Sequence, residues 1–243
     1  MTSWARTSAG FASRARAWLL LGLRRRAYDR ALDELPRISG PAVVVGSAPN
    51  PTKPQGLSGG WYAVSVNASQ RTAEEFGISQ PDLTVFRDDV DKPSEIHDAF
   101  WGSVAGRRTK HLIAIMGSSE NRGIATRLTA GNYHAERITE LDRHVRGAMI
   151  VEMSGLYHVG LHHGVSNGIF AALLALKLGA SPVVMSGFSF SPGWHFDKKA
   201  PAPRGHIGPD KAVCAALVDR GYPIFTSDPN FAELSGLPLW AGN

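Results

Sequence analysis

The sequence lacks several features that would otherwise define its class. Cys214 is the single cysteine among 243 residues, which excludes an internal disulfide framework and any cysteine-based zinc site within one chain. The chain has no GxGxxG turn after Val45 and no GxxxxGK[ST] segment, so the standard dinucleotide-binding and P-loop motifs are absent. Glycine and proline, at 26 and 15 residues, indicate neither a fibrous protein nor a linker. The 43% of hydrophobic residues suits one α/β domain.

Positive charge is concentrated at the beginning of the chain. Residues 1–40 contain eight arginines and three acidic residues, which accounts for the whole formal net charge of +5. Basic and acidic residues balance over the rest of the chain. A nucleic-acid-binding body would need a basic surface of its own, so we expect no nucleic-acid partner.

An N-terminal arm is predicted over residues 1–38. Trp4, Phe11 and Trp18 recur every seven residues and would lie close together on one face of a helix. The apolar run over 17–23 covers only about a third of the ~20 residues that span a bilayer, and the three arginines at 24–26 follow it where a signal peptide would be cleaved. Such an amphipathic basic helix suits an anionic membrane surface. Docking on a partner subunit and disorder are the alternatives.

The remaining residues, 39–243, alternate apolar runs with helical patterns. The predicted strands cover residues 42–45, 61–66, 83–86, 111–116, 182–185 and 224–226. The predicted helices cover residues 72–76, 137–145, 166–178 and 210–220, with Thr72 and Ser166 as N-caps and Gly179 after the third helix. This alternation predicts an α/β fold, in which a single Rossmann-like domain has a mostly parallel sheet covered on both faces.

Small and polar residues follow most of the predicted strands. In a parallel sheet the ligand binds beyond the carboxyl ends of the strands, so these turns form the candidate site. They lie at residues 46–49, 67–69, 88–89, 117–119 and from 187 onward. Glycine, amide and hydroxyl groups at such positions suit the close approach of a phosphate or a sugar, which indicates a nucleotide-type ligand.

Three segments resemble, in order, the small bacterial CMP-sialic-acid sialyltransferases. Residues 43–50 (VVVGSAPN) are similar to the family's first strand and its Gly-Asn-Gly-Pro-Ser turn, and residues 64–67 to a second strand that ends in an asparagine. The most specific match covers 166–190, where the family has a Ser-Gly helix start, an Ala-x-Lys-x-Gly helix end and a strand leading to Ser/Thr-Gly-x-Asp-Phe. Residues 78–82 also resemble a segment of a broader group that includes flagellin glycosyltransferases and a hydroxymethylpterin diphosphokinase.

The turns and the resemblance together give a set of expected donor-binding residues. These are Gly46, Ser47, Ala48, Asn67, Asp88, Ser118, Asn167, Gly168, Phe190 and Trp194. Ser47 and Asp88 replace asparagines of the family, and Asn167 replaces a serine. Ser191 stands where the family has a tyrosine that binds the leaving phosphate. In the short lid loop that we expect at about 191–205, His195 and Arg204 are candidates to replace it.

The resemblance implies a general base. Transfer from a CMP-linked 2-keto acid sugar needs little nucleophilic help, so the protein must deprotonate the acceptor hydroxyl, hold the donor and neutralise the leaving phosphate. Arg204-Gly205-His206 is similar to the family's Gly-His, whose histidine is the base, and imidazole is largely neutral at pH 7. A loop histidine that only satisfies a backbone carbonyl is the alternative for His206, and His162 and His163 are the alternative base.

The predicted activity is therefore that of a glycosyltransferase. It would move CMP-activated sialic acid, another nonulosonate or Kdo onto a surface glycan or glycolipid, with no cofactor and no metal. Asp89 and Asp91 match the Asp-x-Asp of metal-dependent transferases, but two carboxylates alone make a weak site. The alternatives are a pterin-type diphosphokinase or other metal-dependent nucleotide enzyme that uses residues 88–91, and an inactive homologue that acts as a binding subunit. We expect a cytoplasmic protein, peripheral on the inner membrane face if the arm binds lipid; the family is often oligomeric, which makes a homo-oligomer an open expectation.

Overall fold

The computed structural model describes residue 22 and residues 28–87, 95–116, 124–160, 164–191 and 205–242. Within these ranges seven strands form one sheet, and every neighbouring pair of strands is parallel. The strands are β1 (Ala42–Val45), β2 (Tyr62–Val66), β3 (Leu83–Arg87), β4 (Arg108–Met116), β5 (His134–Asp142), β6 (Val183–Ser186) and β7 (Ile224–Thr226). Their order across the sheet is β5-β4-β3-β2-β1-β6-β7, which confirms the predicted α/β class.

Helices cover both faces of this sheet. They are α1 (described over residues 28–33), α2 (Gln70–Glu75), α3 (Glu95–Val104), α4 (Ile124–Ala130), α5 (Arg143–Ser154), α6 (Asn167–Lys177), α7 (Ile207–Asp219) and α8 (Pro229–Ser235). The largest apolar cluster lies between the sheet and α5, α6 and α7. Two smaller clusters lie on the other face, where α2, α3 and α4 pack.

The inner strands are where the sequence predicts them. All four residues of β1 are fully buried, because β1 lies between β2 and β6 and is covered on both faces. A strand in that position needs a continuous apolar run rather than an alternating one. The predictions for β2, β3, β6 and β7 are confirmed to within one residue at each end, while β4 begins three residues earlier than predicted.

The predicted helix over 137–145 is wrong. The chain forms β5 up to Asp142, paired with β4, and α5 begins only at Arg143. Ile138 and Thr139 are β-branched and suit a pleated strand. β5 is also an edge strand of the sheet, so its charged side chains Glu136 and Glu140 can be exposed to solvent. Pairing with β4 therefore outweighs the helix propensity of the charged residues.

Of the two predicted N-caps, the structure confirms one. Ser166 caps α6 as predicted, because its Oγ accepts a hydrogen bond from the backbone N–H of Ile169 at 3.3 Å. Thr72 is not the N-cap of α2, since that helix already begins at Gln70. The preceding Ser69 instead joins two strands: its Oγ donates to the carbonyl of Val45 at 2.6 Å and accepts from the N–H of Val66 at 2.7 Å.

The last residues of the predicted N-terminal arm pack on the domain. Tyr28 is buried, and its hydroxyl donates a hydrogen bond to the carboxylate of Glu152 in α5. Lys177, at the end of α6, pairs with the other oxygen of Glu152 at 3.0 Å and lies 5.6 Å from the Tyr28 ring centroid. Leu35 and Ile38 are buried in the same core.

The earlier part of the arm lies outside the described residues. The helix predicted to carry Trp4, Phe11 and Trp18 therefore stays a prediction. Within the residues that the structure describes, no helix combines the length and the apolar character that crossing a membrane requires.

Candidate functional site

The strand order reverses between β1 and β6, and the chain leaves both strands at the same edge of the sheet. There the backbones at Gly46 and Gly187 touch. The N–H of Gly46 donates to the carbonyl of Ser186 at 2.7 Å, and the N–H of Ala48 donates to the carbonyl of Gly187 at 2.8 Å. A Cβ atom on Gly46 would lie 2.3 Å from the carbonyl oxygen of Gly187, whose own φ is +76°. Neither position accommodates a side chain without displacing the other loop.

Phe188 lies directly beside this contact. A Cβ atom on Gly168, in the first turn of α6, would lie 2.1 Å from Cε1 of the Phe188 ring. A Cβ atom on Gly46 would lie 3.0 Å from the same atom. The ring therefore fits against two glycines, one that follows β1 and one in the first turn of α6, at the point where the strand order reverses and sheets of this type bind their ligands.

Two predicted donor residues lie together in this region. Asn67 follows β2 with a left-handed φ of +52°, and Asn167 is the first residue of α6. The side-chain amide of Asn167 donates to the side-chain oxygen of Asn67 at 3.1 Å. Asn167 is almost completely buried. Amide groups in a buried position of this kind can recognise a base or a sugar by directional hydrogen bonds.

A second group of polar residues surrounds the start of α7. His206 directly precedes that helix. One turn further on, Oδ1 of the buried Asp210 accepts a hydrogen bond from the N–H of Ser166 at 2.8 Å, which joins α7 to the start of α6. Arg146 of α5 donates to the carbonyl of Val165, and its guanidinium lies 5.4 Å from the Phe170 ring centroid. This polar cluster therefore lies next to Asn167.

The surroundings of His206 favour the neutral form of its imidazole. Burial lowers the pKa of His206, and the charges of Arg146 and Arg87 lower it further, whereas a backbone hydrogen bond at Gly164 acts in the opposite direction. Burial also lowers the pKa of Arg146, to about 10, so this arginine is still charged at pH 7. Among the described residues, the buried Nδ1 atom of His206 has no hydrogen-bond partner. A neutral imidazole is a group that can accept a proton.

Some of the remaining predicted site residues belong to the described part of the chain, and the others lie outside it. Ser47 is partly exposed and Ala48 buried beside the Gly46 contact. Phe190 faces Phe231, at 5.0 Å between ring centroids, and Ser191 is exposed. The residues that lie outside the described part of the chain are Asp88, Asp89, Asp91, Ser118, His162, His163, Trp194, His195 and Arg204, so their roles stay predictions.

Sequence reasoning missed Arg87, Arg146 and Phe188. Arg87 is the last residue of β3, so the rule that ligands bind at carboxyl ends of strands could have included it. Phe188 lies in the segment that resembles the family, but only Phe190 of that segment was predicted to bind the donor. Arg146 gives no local signal, because the groups that it contacts lie on α6 and the chain just before it.

The described residues offer no cluster of three or more histidine, cysteine or acidic side chains that could hold a metal ion. The Asp-x-Asp at 89–91 lies outside those residues.

Comparison with known proteins identifies the fold. No protein-family model and no curated protein matches the sequence. Among solved structures, the α-2,3-sialyltransferase Cst-I from Campylobacter jejuni matches with a TM-score of 0.55 and 12% identity over 87% of this chain and 85% of that one. The Campylobacter jejuni sialyltransferase Cst-II in complex with CMP matches with a TM-score of 0.53 and 11% identity over 82% and 86%.

A third match is Cst-II with a trisaccharide acceptor and CMP, at a TM-score of 0.50 and 12% identity over 83% of this chain and 86% of that chain. These matches cover most of both chains, so the protein has the sialyltransferase-like α/β fold. Identities of 11–12% show the fold alone.

Gly168→Ala tests the fit between α6 and Phe188. The new Cβ would overlap the ring, so we expect a loss of about 1–3 kcal/mol in the free energy of unfolding. Gly102→Ala in α3 is the matched control, because nothing lies within 4 Å of its Cβ position, and we expect it to be neutral or to stabilise by up to about 1 kcal/mol. Urea unfolding of both variants checks this; equal stabilities would contradict the described packing.

Proposed function

We propose that this protein is a glycosyltransferase that moves a CMP-activated 2-keto acid sugar onto a hydroxyl of a glycan or glycolipid. The observation that carries the proposal is the position of His206. It lies at the start of α7, which Asp210 joins to Ser166 and so to the residue before Asn167. This position supports His206 as the proton acceptor, beside the region where an α/β sheet of this order binds its ligand.

The proposed reaction uses His206 as the general base. The acceptor hydroxyl oxygen attacks the anomeric carbon of the donor sugar, and its proton passes to the imidazole. The bond from that carbon to the phosphate oxygen breaks, and CMP leaves with the electron pair. Arg146 and Arg87 contribute positive charge in the same region, which favours the negative charge that develops on the phosphate.

The proposed donor site consists of the two asparagines and the glycines at the strand crossover. Asn67 and Asn167 offer hydrogen-bonding groups for the nucleoside or the sugar, and Gly46 lets the loop after β1 pack directly against Gly187 and Phe188. The solved structures of the same fold support this choice of donor, because Cst-II is found with CMP and with a trisaccharide acceptor. The proposal includes a 2-keto acid as the donor sugar, a glycan or glycolipid as the acceptor, and binding of the N-terminal arm to a membrane surface.

A nucleotide panel tests the class of donor. We expect CMP without metal to raise the melting temperature, because a ligand at about 100 times its Kd stabilises the fold by roughly 2.7 kcal/mol. CDP, UDP, GDP and ATP, each with and without Mg²⁺, are the controls in a thermal-shift assay. Stabilisation by ATP or UDP only in the presence of Mg²⁺ would contradict the proposal and favour the alternative based on residues 88–91.

His206→Ala tests the base. We expect turnover with a CMP-sugar donor to fall by about 100-fold to 10,000-fold, since a positioned general base contributes rate enhancements of that size, while CMP binding is retained. His134→Ala is the matched control, because His134 is exposed at the start of the edge strand β5, and this variant should keep full activity. Near-normal turnover of His206→Ala would exclude His206 as the base.

Arg146→Met tests the electrostatics around the base. In the proposed reaction His206 acts in its neutral form, so activity is lost as the pH falls through its pKa, which burial lowers and the charge of Arg146 lowers further. Without this charge the pKa rises, so the acidic limb of kcat/KM should move to higher pH by about one unit. Arg143→Met removes the same charge from an exposed position of α5 and should leave the limb in place. An unshifted limb in Arg146→Met would show that Arg146 does not tune His206.

A further inference from the structure

Asp228 occupies a helix N-cap position without capping the helix. It immediately precedes α8, where an aspartate side chain commonly accepts a hydrogen bond from the first turn. The carboxylate of Asp228 makes no such bond to its own helix. It is nevertheless almost completely buried, with 7% of its surface exposed. The side chain therefore has partners elsewhere in the fold.

Those partners are backbone N–H groups of the two loops that meet at the strand crossover. Oδ1 of Asp228 accepts from the N–H of Thr52 at 2.7 Å, in the chain that follows β1. Oδ2 accepts from the N–H of Gly187 at 2.6 Å and from that of Phe188 at 3.2 Å, directly after β6. One carboxylate thus binds both loops.

The other side of Thr52 is fixed as well. Its carbonyl accepts a hydrogen bond from Oγ of Ser186 at 2.7 Å and another from Oγ of Ser227 at 2.5 Å. Both backbone polar groups of Thr52 are therefore bound to the β6 and β7 side of the sheet. The loop after β1 cannot move away from Phe188 without breaking several of these bonds.

This arrangement has an energetic cost. Burial raises the pKa of Asp228, and the hydrogen bonds from Thr52, Phe188 and Gly187 offset only part of that rise. A serine or an asparagine at this position could cap α8 without placing a charge in the interior. The buried carboxylate instead binds three backbone N–H groups of the two loops.

We infer that Asp228 is a positioning residue of the candidate donor site. It acts through Gly187 and Phe188: by fixing their backbone it sets the Phe188 ring against Gly46 and Gly168, where the ring bounds the space open to the nucleoside part of the donor. The assignment of the ligand rests on the proposed function, whereas the control of the Phe188 ring by Asp228 does not.

Asp228→Asn is the central test, because asparagine keeps the shape but has one oxygen in place of two. We expect CMP to bind about tenfold more weakly in calorimetry. The variant loses part of the free energy that hydrogen bonds to a charged carboxylate contribute. Asp82→Asn is the matched control. Asp82 also accepts from a backbone N–H, that of Ala63 at 2.8 Å, but at the opposite edge of the sheet, and this variant should bind CMP within about twofold of the unmodified protein.

A double-mutant cycle with Phe188→Leu separates positioning from general destabilisation. If Asp228 acts through the ring, Asp228→Asn weakens CMP binding much less in the Phe188→Leu background than alone, because the ring is already lost. Additive losses would overturn the inference. If Asp228→Asn does not fold, Asp228→Glu, which keeps the charge one methylene further out, replaces it in the cycle with the same expectation.

Amide hydrogen exchange gives a readout that does not need CMP. In Asp228→Asn we expect faster exchange at Thr52, Gly187 and Phe188 with unchanged protection in β3 and β4. Unchanged exchange at those three amides would overturn the inference. If the unmodified protein binds no CMP, the proposed function fails. The exchange data and a cycle measured on unfolding free energies then still decide whether Asp228 controls Phe188.

Discussion

The backbone contact between Gly46 and Gly187 is the constraint on which the rest of the site depends. Two neighbouring parallel strands end there, and the chain must leave them in opposite directions because the strand order reverses. Without side chains the two loops touch, which leaves the crevice to be shaped by what surrounds them. Phe188 packs against the contact on one side, and Asp228 holds it from behind. The close contact between the backbones of Gly46 and Gly187 is thus the point around which the side chains of Phe188 and Asp228 are arranged.

The polar groups of the site form two regions of different character. Asn67 and Asn167 are uncharged and bind each other. Around His206, burial lowers the pKa of the imidazole, and the positive charge of two arginines lowers it further. A substrate with a neutral part to be recognised and an anionic part to be released suits this division. The arrangement is consistent with the proposed nucleotide-linked sugar as the donor, with the proposed base His206 in the cationic region.

The elements that could be predicted from the sequence are those whose burial requires a continuous run of apolar residues. β1, β6 and α6 are apolar on all sides, and the Ser166 cap is a local feature, so each could be recognised from a few residues. β5 could not, because an edge strand exposes charged residues and resembles a surface helix. The site was predicted where it follows strands, as at Gly46 and Asn67. Asp228 was missed because it reads as an ordinary helix cap before Pro229, while its partners lie 41 and 176 positions away.

Tyr28 fixes the direction from which the chain reaches the domain. It is bound to Glu152 and lies over Lys177, near the last turns of α5 and α6, whereas the candidate site lies at the first turn of α6. The 11 residues of α6 separate the two by about 16 Å at 1.5 Å per residue. If a surface or partner protein, here called the support, bound the residues that precede Tyr28, the domain would therefore be attached at the amino edge of the sheet. The candidate site on the carboxyl edge would then face away from that support.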